Sequence, residues 1–398
     1  MEIGDFRPAD RLLMGPGPAN VHPRVLRALG TPVLGHLDPQ FLSTLAEVAD
    51  LLRAAYRTRN EWTFAVSGTG SAGMEAVASS LTEPGDRVLV CVAGYFGDRM
   101  REVFRRCGAE VATVESPWGR PVDPEDAARV AQEVHPRIVG VVHAETSTGV
   151  LQPLEEIRDI ARMHGALLVV DAVTSFGGVP LEVDRAGLDS VFACTQKCLG
   201  APPGMSPVTL SEAAVRKIQG RRRPVQSYYF DLGLLWGYWS GNGYHHTMSA
   251  TMIYALREAL RILLEEGLEA RWARHERVGR ALQAGLQAMG LELFAAEGYR
   301  LPVLTTVRVP EGVDGERVRA RLLEEFDIEI GAGFGSFRNH IWRIGTMGYN
   351  AQPRTVLLLL SALEAVLREE GFRMPPGAGV EAALEVLEKS ETERKSPR

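Results

Sequence analysis

The chain contains 398 residues, of which 45% are hydrophobic, and its 44 basic and 50 acidic side chains give a net charge of -6. A chain of this length and apolar content can bury a large core and should divide into two domains. The small acidic excess argues against nucleic-acid binding, and the longest apolar run, Val356–Leu360, is too short to span a membrane.

Neither the first residues nor the cysteines point to secretion. The opening MEIGDFRPAD lacks the apolar core of a signal peptide. Cys91, Cys107, Cys194 and Cys198 lack the paired short spacings of a zinc site, and a disulfide framework is not expected in so large a chain. We therefore expect reduced, mostly buried thiols, no metal and a cytoplasmic protein.

The first 60 residues predict an arm followed by a helix. Residues 11–24 read RLLMGPGPANVHPR, whose glycines and prolines argue against regular helix or strand. Such an arm usually lies across a surface. Residues 39–56 then have helical periodicity, with Asp38 as a candidate N-cap.

A glycine-rich segment after the predicted strand 63–66 raises the hypothesis of a dinucleotide site. Gly68, Gly70 and Gly73 fit the pattern G-x-G-x-x-G. A dinucleotide site would also need an acidic residue about 20 positions later to hold the ribose. The next predicted strand is Arg87–Val92, and the first carboxylate after it is Asp98, which comes too late. Hydride transfer is therefore disfavoured.

The same segment suits a phosphate. Glycines let the backbone approach closely, and Thr69, Gly70 and Ser71 offer N–H and hydroxyl donors at the start of a helix predicted near Ser71. A strand-to-helix turn with no ligand remains the alternative.

Repeated β-α-β units follow. The pattern predicts strands at 87–92, 110–114 and 137–143 and a helix at 124–134. Tyr95 and Phe96 are placed on a loop just past a strand end, where an aromatic ring can stack on a planar ligand or simply pack in the core.

Polar side chains also follow the strand at 137–143. Glu145, Thr146, Ser147 and Thr148 are placed at the edge of the sheet where that strand ends. Their hydroxyls can bond a cofactor or, equally well, cap the helix predicted after Pro153.

Two further apolar runs carry the strongest functional pattern. Residues 166–170 end in Asp171, and residues 190–193 are followed by Gln196 and Lys197. If both runs are adjacent parallel strands, Asp171 and Lys197 meet at the carboxyl edge of one sheet, where open α/β folds bind ligands. An amine to bond the aldehyde and a carboxylate to keep the ring nitrogen protonated are what pyridoxal 5'-phosphate (PLP) requires. A helix-capping Asp and a solvated Lys remain the alternative.

The second half predicts two long helices, 249–268 and 269–289, and then a smaller domain. Its predicted strands are 303–309, 328–330 and 341–344, with a helix at 315–326. Arg343 lies in an apolar strand, where an ion pair and a ligand-binding role are equally plausible for a guanidinium.

The chain resembles the class V aminotransferases, and most strongly their alanine-glyoxylate and serine-pyruvate group. The residues that carry the resemblance are SGTG, AETSTGV, VDAVTS, TQKCLGAPPG and YHHT in this order, and it extends from the MGPGPAN arm to the RIG segment near residue 345. The QK-x-L-x-APPG and YHHT motifs are specific, whereas the glycine segment alone is not.

The resemblance implies a PLP-dependent transferase fold of type I, with a mostly parallel seven-stranded sheet in the large domain and a smaller C-terminal α/β domain. We divide the chain into an arm (1–22), a large PLP-binding domain (23–268), a small domain (269–375) and a tail (376–398). The tail predicts a short helix from residue 379 and then a charged end that we expect to be disordered.

By resemblance, Lys197 bonds the cofactor covalently and Asp171 holds the ring nitrogen. Arg343 grips the substrate α-carboxylate. Thr69, Gly70, Ser71, Thr146 and Gln196 contact the phosphate and ring, while Tyr244 and Thr247 reach the cofactor of the other subunit in a homodimer. Two positions depart from the family: Phe96 stands where tryptophan is frequent, and Thr146 replaces a serine.

The implied reaction is transamination between alanine or serine and glyoxylate or pyruvate. Another class V aminotransferase or lyase activity and a non-catalytic PLP-binding protein are the alternatives. The set of Lys197, Asp171 and Arg343 argues against the latter. Cysteine desulfuration is disfavoured because no cysteine follows Cys198.

Overall fold

The computed structural model describes residues 4–395, with side chains up to residue 389. In this part of the chain the strands are β1 (Leu12–Leu13), β2 (Trp62–Ser67), β3 (Arg87–Val92), β4 (Glu110–Glu115), β5 (Ile138–Val142), β6 (Ala144–Glu145), β7 (Val150–Leu151), β8 (Leu167–Asp171), β9 (Ser190–Phe192), β10 (Met205–Leu210), β11 (Leu304–Arg308), β12 (Ile328–Glu329), β13 (Gly331–Ala332) and β14 (Ile341–Gly345).

The helices are α1 (Pro23–Leu29), α2 (Pro39–Tyr56), α3 (Gly70–Leu81), α4 (Tyr95–Arg106), α5 (Pro124–Val134), α6 (Glu155–Met163), α7 (Val183–Ala186), α8 (Glu212–Gln219), α9 (Leu232–Trp239), α10 (Ala250–Glu266), α11 (Leu268–Ala288), α12 (Gly315–Phe326), α13 (Pro353–Glu369) and α14 (Ala378–Lys395). Short 3₁₀ turns occur at Gly335–Phe337 and Gly348–Asn350.

A seven-stranded sheet organises the large domain, in the order β2-β10-β9-β8-β5-β3-β4. β10 runs antiparallel to both of its neighbours, and the remaining pairs are parallel. Central strands such as β5 and β8 are apolar and buried because helices cover both faces. The predicted α/β fold with a mostly parallel seven-stranded sheet is confirmed.

A smaller antiparallel sheet, in the order β11-β14-β13, forms the second centre of packing. The second half of α11 and the helices α12, α13 and α14 pack around it, and its buried core is separate from the core under the large sheet. The large core ends at Leu268 and the small one, apart from Met14, starts at Val278. These two cores support a domain boundary near residue 268, which stays a prediction. The strand predicted at 328–330 is β12, which pairs with β1 instead of joining this sheet.

The N-terminal arm differs from its prediction. Leu12 and Leu13 form a short parallel pair with β12, and α1 already begins at Pro23. Met14 is fully buried, and its carbonyl accepts a hydrogen bond from the N–H of Gly345 at 2.7 Å. The middle of the arm packs on the small domain because strand edges there take up its backbone hydrogen bonds. The arm thus ties the N-terminus to the small domain.

The C-terminal segment is helical. Residues 378–395 form α14, which is longer than the short helix predicted there, and residues 396–398 lie outside the described residues. Disorder of the charged end stays a prediction. Ala383 and Leu387 are buried in the small-domain core, which explains the helix.

Candidate active site

Nine of the eleven predicted site residues line one cavity of about 270 Å³ at the carboxyl edge of the large sheet. They are Thr69, Gly70, Ser71, Phe96, Thr146, Asp171, Gln196, Lys197 and Arg343. A larger groove, lined by residues such as Trp62, Leu167 and Ser211, contains none of them. The chemistry predicted from sequence therefore converges on a single place.

Lys197 lies in the turn after β9, and its side chain is 8% exposed. Its Nζ donates to Thr174 Oγ1 at 3.1 Å and to Thr146 Oγ1 at 3.2 Å. Removal from water lowers the pKa of the amine, although nearby Cys194 and Asp171 oppose this effect. A buried amine with a lowered pKa is suited to nucleophilic and proton-transfer chemistry.

Asp171 ends β8, and its residue pairs in register with Phe192 of β9 and Val142 of β5. Its Oδ1 accepts the backbone N–H of Val173 at 2.8 Å, so the carboxylate is fixed in direction. Burial raises its pKa to about 7. A carboxylate in this environment would gain from a nearby cation, which a protonated pyridine nitrogen would provide.

The glycine segment forms the N-terminus of α3, with Thr69 at the N-cap. The hydroxyl of Thr69 makes no capping hydrogen bond, so it is free to contact a ligand. A Cβ on Gly70 would lie 2.5 Å from Val173 Cγ2, and only glycine allows this close approach beside the cavity. The free N–H groups and the helix dipole make this end of α3 suited to an anion.

Arg343 is central in β14, between β11 and β13, and is 7% exposed. Its Nε donates to the carbonyl of Ala332 at 2.6 Å and its Nη1 to the carbonyl of Thr146 at 3.3 Å. Within residues 4–389 it forms no ion pair with a carboxylate, which disfavours the structural ion pair considered above. Burial lowers its pKa to about 10. A cavity cation held by neutral carbonyls is available for an anionic ligand.

Phe96 and Tyr95 lie in the first turn of α4, and not on a loop as predicted. The reason is a cap supplied by residues 145–147: Glu145 Oε2 accepts the N–H groups of Phe96 and Gly97 at 3.1 and 3.2 Å. Ser147 Oγ accepts the N–H of Tyr95 at 2.9 Å. Glu145 and Ser147 therefore cap α4 from a distant strand, and neither bonds the helix after Pro153.

The N-terminal arm forms one wall of the cavity. A Cβ on Gly17 would lie 3.1 Å from Cγ of Lys197, and the φ of +108° at Gly17 also favours glycine. The N–H of Ala19 donates to the carbonyl of Gln196 at 3.0 Å. The arm therefore packs directly on the segment that carries the lysine.

Three residues of the cavity surroundings escaped the sequence prediction. Thr174 contacts the amine of Lys197, while Arg99 and Phe334 line the cavity. Thr174 could have been identified from the sequence, because it follows Asp171 by three positions in the VDAVTS motif. No sequence pattern pointed to Arg99 or Phe334, because Arg99 lies on the surface of a helix and Phe334 lies in a glycine-rich loop.

Tyr244 and Thr247 do not line the cavity. Tyr244 is 56% exposed, and its hydroxyl is 3.4 Å from Thr247 Oγ1. Between them, His246 Nε2 lies 2.7 Å from Ser67 Oγ, at the end of β2. Within the described residues, no group of three or more His, Cys, Asp or Glu side chains is arranged to hold a metal ion. No described helix is long and apolar enough to cross a bilayer.

The cavity fits PLP on its own features. Gln196 Oε1 is buried and has no hydrogen-bond partner, as expected for an atom that meets a ligand. Phe96 offers an aromatic face, with Lys197 Nζ 5.6 Å from its ring centroid. The N-terminus of α3 suits the phosphate of PLP, the buried carboxylate of Asp171 suits its ring nitrogen, and the buried amine of Lys197 suits its aldehyde.

Comparisons with known proteins agree with this site. The profile of the family described as aminotransferase class-V matches residues 27–347. The (S)-ureidoglycine–glyoxylate transaminase of Bacillus subtilis (strain 168) is 44% identical, with 95% of each chain covered. The alanine–glyoxylate aminotransferase of Drosophila melanogaster is 37% identical, covering 90% of this chain and 92% of the relative.

Solved structures give the same result. The ureidoglycine-glyoxylate aminotransferase of Bacillus subtilis superposes with a TM-score of 0.95 at 45% identity, covering 97% of this chain and all of that one. An alanine–glyoxylate aminotransferase from Nostoc sp. gives a TM-score of 0.91 at 47% identity, covering 92% and 98%. The chain belongs to the class V aminotransferases and is a PLP-dependent enzyme.

Proposed function

We propose that this enzyme transfers the amino group of a small amino acid to a small 2-oxo acid, with glyoxylate as the main acceptor. The observation that carries the proposal is the pairing, in one cavity, of the buried Lys197 with a buried Arg343 that has no carboxylate partner within residues 4–389. The named relatives support glyoxylate, since transaminases with different donors share it in their names.

The cofactor would be held by residues at both ends of the cavity. Thr69, Gly70 and Ser71 would bind the phosphate at the start of α3, and Asp171 would pair with the ring nitrogen. Phe96 would cover one face of the ring. Thr146 and Gln196 would supply further hydrogen bonds, although in this structure the Thr146 hydroxyl accepts from Lys197.

When bound, PLP supplies an electron sink for the bond broken at the substrate Cα. Lys197 then acts as the base that takes the Cα proton, a role suited to its lowered pKa. Arg343 would bind the α-carboxylate through two parallel hydrogen bonds and so fix the Cα–H bond toward the amine. The arm residues that pack beside Lys197 would help to keep water away from the reacting atoms.

Two kinds of amino donor are candidates. Alanine or serine is the donor that the sequence resemblance implies. The 44% identical relative is named for (S)-ureidoglycine, which makes this donor a second candidate. All of these carry a short side chain beside an α-carboxylate, as the small cavity requires.

A donor panel tests the proposal directly. The purified holoenzyme is mixed with glyoxylate and with L-alanine, L-serine or (S)-ureidoglycine, and glycine formation is measured against a Lys197→Ala control. Glycine above the control with at least one donor supports the proposal, and the fastest donor identifies the substrate. No glycine with any donor, in a protein that binds PLP, would overturn it.

We also propose a homodimer in which Tyr244 and Thr247 reach the partner's cofactor. The support is the exposure of Tyr244 and of several other large side chains, which include Leu26, Val33, Leu37, Tyr228, Tyr229 and Leu234. His36 and Tyr244 are in ring contact at 5.1 Å, and the Tyr238 hydroxyl donates to the His36 carbonyl, so the two segments are held together. Exposed apolar patches of this kind favour association.

A cytoplasmic location remains part of the proposal. It is supported by the four cysteines, all of which are unpaired and buried.

A further inference from the structure

We propose that Arg99, which neither the motifs nor the family resemblance identifies, is the cationic ligand of the cofactor phosphate. The residues among which the resemblance implies the phosphate ligands are all uncharged, namely Thr69, Gly70, Ser71, Thr146, Gln196, Tyr244 and Thr247. A phosphate dianion held in a protein cavity needs a countercharge, because neutral donors alone do not offset its loss of hydration.

Arg99 lies in the right place to supply that charge. It is in the second turn of α4 and lines the same cavity as Lys197. Its Nη1 donates to Ser71 Oγ at 2.9 Å, and Ser71 belongs to the first turn of α3. The guanidinium therefore faces the helix end that is suited to an anion.

The side chain is held in this position by two aromatic rings. The guanidinium carbon lies 5.1 Å from the ring centroid of Tyr95 and 5.0 Å from that of Phe96. Such cation–π contacts orient an arginine without neutralising it. Arg99 is thus fixed in direction while its charge stays available to a ligand.

No competing carboxylate takes up this charge at short range. The neighbouring Asp98 is paired with Arg101 at 2.5 Å. The charge of Arg99 lowers the pKa of Asp171 slightly, but the two side chains are not in contact. Across residues 4–389, Arg99 forms no ion pair with a carboxylate.

The other cations of the cavity have different partners. Arg343 is bound to the carbonyls of Ala332 and Thr146, toward the small domain. Lys197 donates to Thr146 and Thr174 beside Asp171. Of the described cations that line the cavity, Arg99 is the one that contacts Ser71, at the helix end that would bind the phosphate.

The test compares ligands with and without the phosphate. Apoenzyme is titrated with PLP and with pyridoxal, which has the same ring and aldehyde but lacks the phosphate, and binding is followed by absorbance and by quenching of protein fluorescence. Arg99→Ala should raise the Kd for PLP about 10- to 100-fold, as expected for loss of charged hydrogen bonds. The Kd for pyridoxal should change less than twofold. Inorganic phosphate should protect the wild-type apoenzyme from heat more strongly than the variant.

Two further variants keep the result interpretable. Arg101→Ala removes an arginine of the same helix that does not line the cavity, and it should leave both Kd values unchanged. Arg99→Lys keeps the charge but loses the planar fork, and it should give an intermediate Kd for PLP. Arg99→Lys also replaces Arg99→Ala in the titrations if the alanine variant does not fold.

The outcomes that overturn the proposal are distinct. Equal weakening of PLP and pyridoxal by Arg99→Ala would mean that Arg99 only arranges the aromatic rings. Unchanged PLP affinity together with a raised KM for the 2-oxo acid would make Arg99 a substrate ligand instead. A wild-type protein that binds neither ligand would overturn the cofactor site as a whole, and with it the role of Arg99.

Discussion

The ring of Phe334, from the small domain, lies nearly parallel to the ring of Tyr95, from the large domain, with centroids 4.4 Å apart and an interplanar angle of 12°. The guanidinium carbon of Arg343 lies 4.3 Å from the centroid of the same Phe334 ring. Phe334 therefore joins the two domains at the cavity and holds the arginine that we assign to the substrate carboxylate.

The Phe334→Ala variant should bind both substrates more weakly. Loss of the cation–π contact, worth about 1 kcal/mol, and of the stacked ring would leave Arg343 less well oriented. We expect KM for donor and acceptor to rise several-fold while the Kd for PLP stays unchanged, as measured by steady-state kinetics and cofactor titration. Phe337→Ala is the matched control, because Phe337 packs on Trp118 and Phe294 in the same loop. Equal effects of both variants would contradict a role specific to Phe334.

Arg343→Lys should lower kcat/KM by about 100-fold or more, since the ammonium cannot make two parallel hydrogen bonds to a carboxylate. PLP absorbance should be retained. Arg308→Lys in the neighbouring strand, where Arg308 pairs with Glu292 at 2.8 Å, is the control and should be near wild type. An Arg343→Lys enzyme with wild-type kcat/KM would exclude Arg343 as the carboxylate ligand.

Thr174→Val should slow proton transfer and leave cofactor binding intact. The change keeps the shape of the side chain but removes the hydroxyl that accepts from Lys197 Nζ at 3.1 Å. We expect kcat to fall about 10-fold, as for other losses of orientation at a catalytic base, and the kinetic isotope effect of a Cα-deuterated donor to increase. Ser175→Ala is the control, because the buried Ser175 hydroxyl has no hydrogen-bond partner in the structure. An unchanged isotope effect would argue that Thr174 has only a structural role.

The pH dependence of apoenzyme stability should report on Asp171. Its folded pKa of about 7 lies above the usual 3.8, so between these values the folded state holds a proton that the unfolded chain has lost. The contribution of Asp171 to the free energy of unfolding therefore decreases as pH rises from about 4 to about 7 and is constant above that. Urea unfolding of the apoenzyme across this range should show a steeper decrease for wild type than for Asp171→Asn.

Two comparisons control this experiment. Asp98→Asn, an exposed change, should keep the wild-type slope. Added PLP should flatten the wild-type slope, because a cationic ring nitrogen favours the charged carboxylate. Parallel curves for wild type and Asp171→Asn apoenzymes would show that the pKa of Asp171 is not raised in the folded state.

Sequence patterns predicted the elements that follow simple periodicity. The parallel strands are short apolar runs, and a residue that follows such a run must emerge at the sheet edge, which is why Asp171 and Lys197 could be placed together. The helix boundaries of α2, α5 and α12 were also recovered, since each begins after an Asp that caps it.

Other features depend on contacts between distant segments. The start of α4 is capped by Glu145, about 50 residues away, so Tyr95 and Phe96 gave no local sign of helix. The arm contains a short strand because the edge of the small domain pairs with Leu12 and Leu13. Phe334 and Arg99 reach the cavity through the docking of a loop and a helix face, which periodicity does not encode.

The proposed chemistry depends on a covalent bond between Lys197 and PLP, and this bond can be located by mass spectrometry. The purified enzyme is saturated with PLP, reduced with borohydride, digested and mapped by mass spectrometry, beside a Lys197→Ala control. We expect the reduced adduct on the peptide that contains Lys197, and no adduct at that position in the control. An adduct on another lysine, or no absorbing adduct in the wild-type protein, would contradict it.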